Sequence, residues 1–182
     1  MATTATGILT LPVSDHDHIR GSLSAPVTLV EYGDYECPYC GQAYYVLQEI
    51  EQELGDNMCF VFRNFPLTSV HLHAEHTAEA AEAAGAQGQF WEMHDMLYEH
   101  QTALDDSQLL QYADALGLDV VRFNRAMAEH HYADRVHEDF MSGVRSGVNG
   151  TPTFFINGVR YNGSYDLESL MAALIDAAEK EE

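Results

Sequence analysis

The sequence predicts an α/β fold in which a helical segment is inserted between strands. Three observations predict it. Residues 27–62 read as strand, helix, strand. Residues 71 to about 147 read as helical throughout, and residues 153–178 as a hairpin followed by a helix. At 182 residues the chain is most simply one domain, large enough for a real core. It divides into a lead-in over 1–24, a core over 25–70 and 148–182, and the insertion over 71–147.

In the lead-in, Ile8 to Leu11 adds a short edge strand, and Asp15-His16-Asp17-His18 reads as a solvated polar loop rather than a metal site. Ser24-Ala25-Pro26 marks the start of the central strand, Val27 to Tyr32, which is short, apolar and rich in β-branched residues. Pro38 suits the first helical position, where its missing N–H costs nothing. Ala43, Leu47, Ile50 and Leu54 then recur at helical spacing, and Gly55 stops the helix. Met58 to Phe62 is the second strand, with Cys59 as a small core residue. Asn64-Phe65-Pro66-Leu67 turns out of it.

Within the insertion, Glu75 to Gly85 is alanine-rich, with high helix propensity. Phe90, His94, Leu97 and Gln101 share a face, Leu109, Ala113 and Leu116 another that Gly117 stops. Asp119 caps a helix carrying Val120, Phe123 and Met127. Tyr132, Val136, Phe140 and Val144 define a long one. The insertion's aromatics are most simply its core. Asn157-Gly158 then links Thr153–Ile156 to Val159–Tyr161 as a hairpin, and Asp166 caps a last helix that buries Leu167, Leu170, Leu174 and Ala178.

The chemistry sits where the first strand meets the first helix. Cys37 falls at the helix N-terminus, where unpaired N–H groups and the macrodipole favour negative charge. A thiol there ionises more readily, and the thiolate is the reactive form. Cys40 lies one turn on, able to resolve a mixed disulfide formed at Cys37. A bare Cys-x-x-Cys is also half of a zinc site, and His71, His73 and His76 have spacings a metal accepts. The matching ligand pair is missing, so these histidines read as loop or helix-start residues. Two further features favour redox chemistry: Glu31 in an otherwise apolar strand, and Thr151-Pro152 before an apolar strand, a position that suits a cis proline.

With these residues in view the chain resembles the DsbA-like family of thioredoxin-fold thiol–disulfide oxidoreductases, the group with a helical insertion in the thioredoxin fold. The matching pieces are Glu31, Cys37-Pro38-Tyr39-Cys40 and Thr151-Pro152-Thr153-Phe154-Phe155. Arg63-Asn64-Phe65-Pro66-Leu67 and Phe90-Trp91-Glu92-Met93-His94 also match, and the likeness runs from about Ala25 to the C-terminus. It implies that Cys37 attacks, Cys40 resolves and Glu31 helps move the proton of the second thiol. It implies a substrate surface of Pro38, Tyr39, Thr151 and Pro152, and protein thiols and disulfides as partners. It implies no bound cofactor beyond the redox-active disulfide, with glutathione as an electron partner. Pro38-Tyr39 is the dipeptide typical of glutaredoxins, where DsbA has Pro-His. Losing that histidine, and having Glu36 before Cys37, both point to a milder oxidant used as a reductase or isomerase. A glutathione-dependent transferase and a redox-inert peptide-binding module stay open as alternatives.

Acidic residues number 29 against 8 basic, a net charge of −21. That excludes the basic surface nucleic acid requires and disfavours anionic membranes. No run of 18 apolar residues predicts a transmembrane helix. The first twelve residues show no basic n-region and no long apolar run, which with the three cysteines predicts a cytoplasmic protein or one whose leader was removed. Such acidity repels itself at low salt, and we take the protein to be adapted to a high-salt cytoplasm. Its melting temperature should then rise steadily from dilute buffer to molar KCl. A flat or falling curve would count against that adaptation.

Overall fold

The computed structural model describes residues 7–181. The first six residues of the lead-in, and with them half of the stretch read for a leader, lie outside the described residues, as does Glu182. Two compact units form. The first holds the described part of Met1–Gly33, Gln42–Arg63, and the described part of Ser142–Glu182; the second holds Asp34–Gly41 and Asn64–Met141. The boundaries read from the sequence set the insertion at 71–147, whereas these units divide so that the dithiol segment belongs with the helices.

The first unit is built on a five-stranded sheet: β1 (His18–Arg20), β2 (Val27–Gly33), β3 (Met58–Asn64), β4 (Thr153–Ile156) and β5 (Val159–Tyr161), in the order β1-β3-β2-β4-β5. β2 is central and buried almost throughout, as its mostly apolar sequence requires, and Glu31 is buried with it. It pairs antiparallel with β4, Leu29 opposite Ile156 and Glu31 opposite Phe154. The β4–β5 turn has Asn157 and Gly158 both at positive φ, 47° and 80°, the backbone a two-residue type I′ turn requires. α1 (Pro38–Leu54) contributes Ala43, Leu47 and Ile50 to the core, and α7 (Leu167–Glu179) packs on β2. Asp166 caps α7 by accepting from Ser169 N at 2.9 Å. Leu170 and Leu174 are buried, but Leu167 is exposed and Ala178 half-buried, so the buried face of α7 is confined to its middle turns. The expected edge strand at Ile8–Leu11 reduces to one bridge, Ile8 to Val159.

The sequence reading of Asp15 to His18 as a solvated loop is corrected here. His18 opens β1, which pairs with β3, and Asp17 enters the interior. Its carboxylate accepts from Arg63 Nε at 2.8 Å and from Nη2 at 3.0 Å. Arg63 is fully buried, and its remaining donors go to the Leu11 and Pro12 carbonyls and to Tyr32 Oη. Tyr32 Oη meets Ser142 Oγ at 2.8 Å. A buried guanidinium is tolerated only with its hydrogen bonds satisfied, and losing one partner of such a pair typically costs about 3–5 kcal/mol. The network therefore locks the lead-in onto β3.

The second unit is helical. It contains α2 (Ala74–Gly85), α3 (Phe90–Glu99), α4 (Asp106–Ala115), α5 (Val120–Ala128) and most of α6 (Ala133–Arg145). α2 lies at its centre, packed by α3, α4 and α5. Alanines 78, 80, 81, 83 and 84 are all buried, so α2 has no solvated face over this stretch, and small side chains let helices approach closely on several sides. The buried polar groups are answered in kind. Asn64 donates through Nδ2 to Glu82 Oε1 at 2.8 Å and to Asp139 Oδ2 at 3.0 Å. Burial pushes the Asp139 carboxyl up to about 6, against the pull of Arg135 and the Asn64 donors. Asp119 caps α5 through Arg122 N, as its sequence position implies. α3 ends at Glu99, so Gln101 lies beyond it.

Candidate functional site

The dithiol segment begins where β2 ends. Asp34 is buried, and its carboxylate accepts from Glu36 N at 2.8 Å and Leu67 N at 2.9 Å, with His71 Nδ1 at 2.8 Å from the same oxygen as Leu67. Its carbonyl accepts from Cys37 N at 3.1 Å. These bonds fold residues 34–37 into a tight turn. The Cys37 carbonyl then accepts the first helical bond, from Gly41 N, which makes Cys37 the cap of α1 and Pro38 its first residue. A side chain at that place lies against the positive end of the helix.

Cys37 and Cys40 are in the reduced, dithiol form and approach to 3.8 Å. Side-chain rotation closes that distance to a disulfide. Cys40 is wholly buried and Cys37 nearly so, while Pro38 and Tyr39 between them are exposed, Tyr39 by 60 %. Cys59 lies buried in β3, where burial pushes its thiol up.

Two residues that the sequence reading left out hold this site. Gln101 donates from Nε2 to the carbonyls of Tyr35 and Cys37, both at 2.9 Å. Gly41 makes room for it: a Cβ there would run into the Gln101 amide. The second is His71. Burial works against its cation, but the bond to Asp34 and the charges of Asp34, Cys37 and Glu36 outweigh it and hold the imidazole above its ordinary value. The interaction is mutual: an imidazolium at His71 and a thiolate at Cys37 stabilise each other. The sequence reading placed His71 with His73 and His76 as loop or helix-start residues, and no spacing signal links position 71 to position 34. His73 N donates to Glu36 Oε2 at 2.5 Å, which draws that carboxylate onto the 70–73 segment. Val70 and Leu72 on this segment are 69 % and 87 % exposed.

The remaining expected residues lie in the first unit. Glu31 is 1 % exposed in β2. Thr151-Pro152 is a cis peptide, half-buried, at the start of β4, and Thr153 Oγ1 donates back to the Gly150 carbonyl at 2.7 Å.

Residues 13–177 match the family model described as Thioredoxin. The chain belongs to the thioredoxin family. A thioredoxin-like oxidoreductase from Silicibacter pomeroyi DSS-3 is similar at 26 % identity and TM-score 0.79, covering 92 % of this chain and 94 % of that one. The Wolbachia pipientis α-DsbA1 structure has TM-score 0.82 at 21 % identity, covering 95 % and 96 %. The fold is thus the DsbA-like form of the thioredoxin fold, an α/β core with a helical insertion. The Na(+)/H(+) antiporter NhaA 1 of Salinispora arenicola (strain CNS-205) is 52 % identical over 170 residues, 93 % of this chain and 26 % of that protein. The chain spans about a quarter of the length of the curated relatives it matches. Among the described residues no helix is long and apolar enough to cross a membrane.

A histidine raised in the folded state stabilises the fold fully below its unfolded value, near ~6.5, and that contribution is lost as pH rises through the raised value. His71→Asn should therefore lower the unfolding free energy most at about pH 5.5 and least at about pH 9. Urea denaturation of both proteins across that range measures it, and a deficit independent of pH would show that His71 is neutral in the fold.

Proposed function

We propose that the protein is a thiol–disulfide oxidoreductase working through Cys37 and Cys40. The observation that carries this reading is the reduced cysteine pair, 3.8 Å apart at the start of α1, with His71 held by Asp34 among the charges of Cys37 and Glu36. The Cys37 thiolate attacks one sulfur of a substrate disulfide; that S–S bond breaks and the other sulfur leaves as a thiolate. Cys40 gives up its proton and attacks the Cys37 sulfur, which releases the second substrate thiolate and leaves Cys37–Cys40 oxidised. The substrate gains the two electrons that the dithiol loses, and the reverse sequence oxidises a substrate dithiol.

Glu31, a buried carboxylate, is proposed as the group that takes the Cys40 proton. Thr151 and cis-Pro152 would offer backbone to an extended substrate in the manner of strand addition. The exposed side chains of Pro38 and Tyr39 between the cysteines offer apolar contact to unfolded or extended protein substrates. Glutathione is proposed as the electron partner. Reductase or isomerase use is favoured by the Pro-Tyr dipeptide. A transferase or binding module has no need of an intact, closely spaced dithiol.

A second reading concerns the partner. The antiporters share this domain at up to 52 % identity as a quarter of their length, which supports a redox module that works together with Na(+)/H(+) antiport. The same trap tests both. Cys40→Ser should hold substrates as mixed disulfides on Cys37, visible on non-reducing gels and absent in Cys37→Ser. Mass spectrometry of the adducts then names the partner, an antiporter or other proteins. A folded Cys40→Ser variant that captured nothing from an oxidised extract would overturn the exchange reading.

A further inference from the structure

The sequence places four ligand-type side chains on α2, at the start of α4 and after α5 of the second unit, and the fold brings them together. His76 and Glu79 are three residues apart on α2, so they share one face. His130 follows α5, and Asp106 begins α4. One ligand atom from each of His76, Glu79 and His130 lies within 4.8 Å of those of the other two. His130 Nδ1 stands 3.1 Å from Glu79 Oε1, and His76 Nδ1 stands 2.8 Å from Asp106 Oδ1. The two rings are 5.7 Å apart.

We propose that His76, Glu79 and His130, with Asp106 behind His76, form a binding site for a divalent transition-metal ion of the zinc class. Two imidazoles and one carboxylate are a donor set that zinc accepts, and about 2.0–2.2 Å metal–ligand bonds place neighbouring donors about 3.3 Å apart. The His130–Glu79 spacing is already there. The side chain of Glu79 is 1 % exposed and fixed by its helix, while those of His76 and His130 are 40 % and 57 % exposed, able to turn onto the ion. A carboxylate on the second ring nitrogen is the usual support of a metal-binding histidine, and Asp106 holds that place on His76.

The backbone gives an independent argument. His130 has φ +49°. His130 N bonds to the Met127 carbonyl and His131 N to the Ala126 carbonyl, the pattern of a Schellman turn with His130 at its left-handed position. α4 closes with the same pattern and uses Gly117 there, at φ +72°. Glycine is the unstrained residue for that conformation, so a histidine at the end of α5 is not explained by the turn. It is explained by what its ring reaches. Beside the cluster a cavity of about 270 Å³, with Leu109, Phe123 and Met127 on its apolar side, leaves room for water or a small ligand to complete the coordination.

The test uses the full chain with Cys37→Ser and Cys40→Ser, so that no dithiol competes for metal. Zinc is titrated against a chromophoric chelator, with melting temperature followed in parallel. One equivalent should bind, and His130→Gly should weaken it at least tenfold. Glycine suits that turn, so this variant should melt no lower than its parent in chelator and show no rise with zinc. His76→Asn should lose affinity to a similar degree. Zinc bound with unchanged affinity by both variants, or not bound by the parent, would overturn the proposal.

Discussion

The buried carboxylate of Asp34 is the constraint on which the site depends. Placing a carboxylate in the interior is costly unless donors meet it. Asp34 meets two backbone N–H groups and one imidazole nitrogen, drawn from both the dithiol turn and the segment that follows β3. One residue thereby fixes the turn that makes Cys37 a helix cap and brings His71 to it. Gln101 holds the same turn through two carbonyls, with its amide seated against Gly41.

What could be read from the sequence is what repeats or punctuates. The apolar run of β2, the helical spacing of Ala43, Leu47 and Ile50, the Asn157-Gly158 turn and the caps at Asp119 and Asp166 each act over a few residues. They stand in the structure where the sequence places them. The Cys37–Cys40 spacing and the proline at 152 are local in the same sense. What stayed hidden acts between distant residues through single hydrogen bonds, which leave no period. Asp17 with Arg63, Asp34 with His71 and Gln101 with Cys37 are of this kind. The end of α6 shows how such bonds also defeat the apolar pattern. Val144, which the spacing places inward, is 44 % exposed, while Ser142 and Ser146 are buried. Ser142 Oγ pairs with Tyr32 Oη, and Ser146 Oγ accepts from Thr10 N and donates to the Ser142 carbonyl. Hydroxyls with partners are as admissible in a core as methyl groups.

His71 also changes how the dipeptide between the cysteines is understood. Pro38-Tyr39 lacks the histidine that DsbA carries there, and from sequence the Cys37 thiolate is left without a cationic neighbour. The fold brings an imidazole from a different segment, and its bond to Asp34 favours the cation over the neutral ring. Thiolate support is thus not tied to the two residues inside the motif. The family match and the solved DsbA-like structures share the fold that carries this site, and the antiporter relatives extend the question to what the module serves when it is one quarter of a larger protein.

The most direct measurement is the reduction potential of Cys37–Cys40, by thiol labelling and mass spectrometry across glutathione buffers of graded ratio. The account predicts one reversible two-electron transition, toward the thioredoxin value of about −270 mV. A transition near about −120 mV would contradict the reductase role and make the protein an oxidant. The absence of any reversible transition would contradict the central claim that these two thiols exchange.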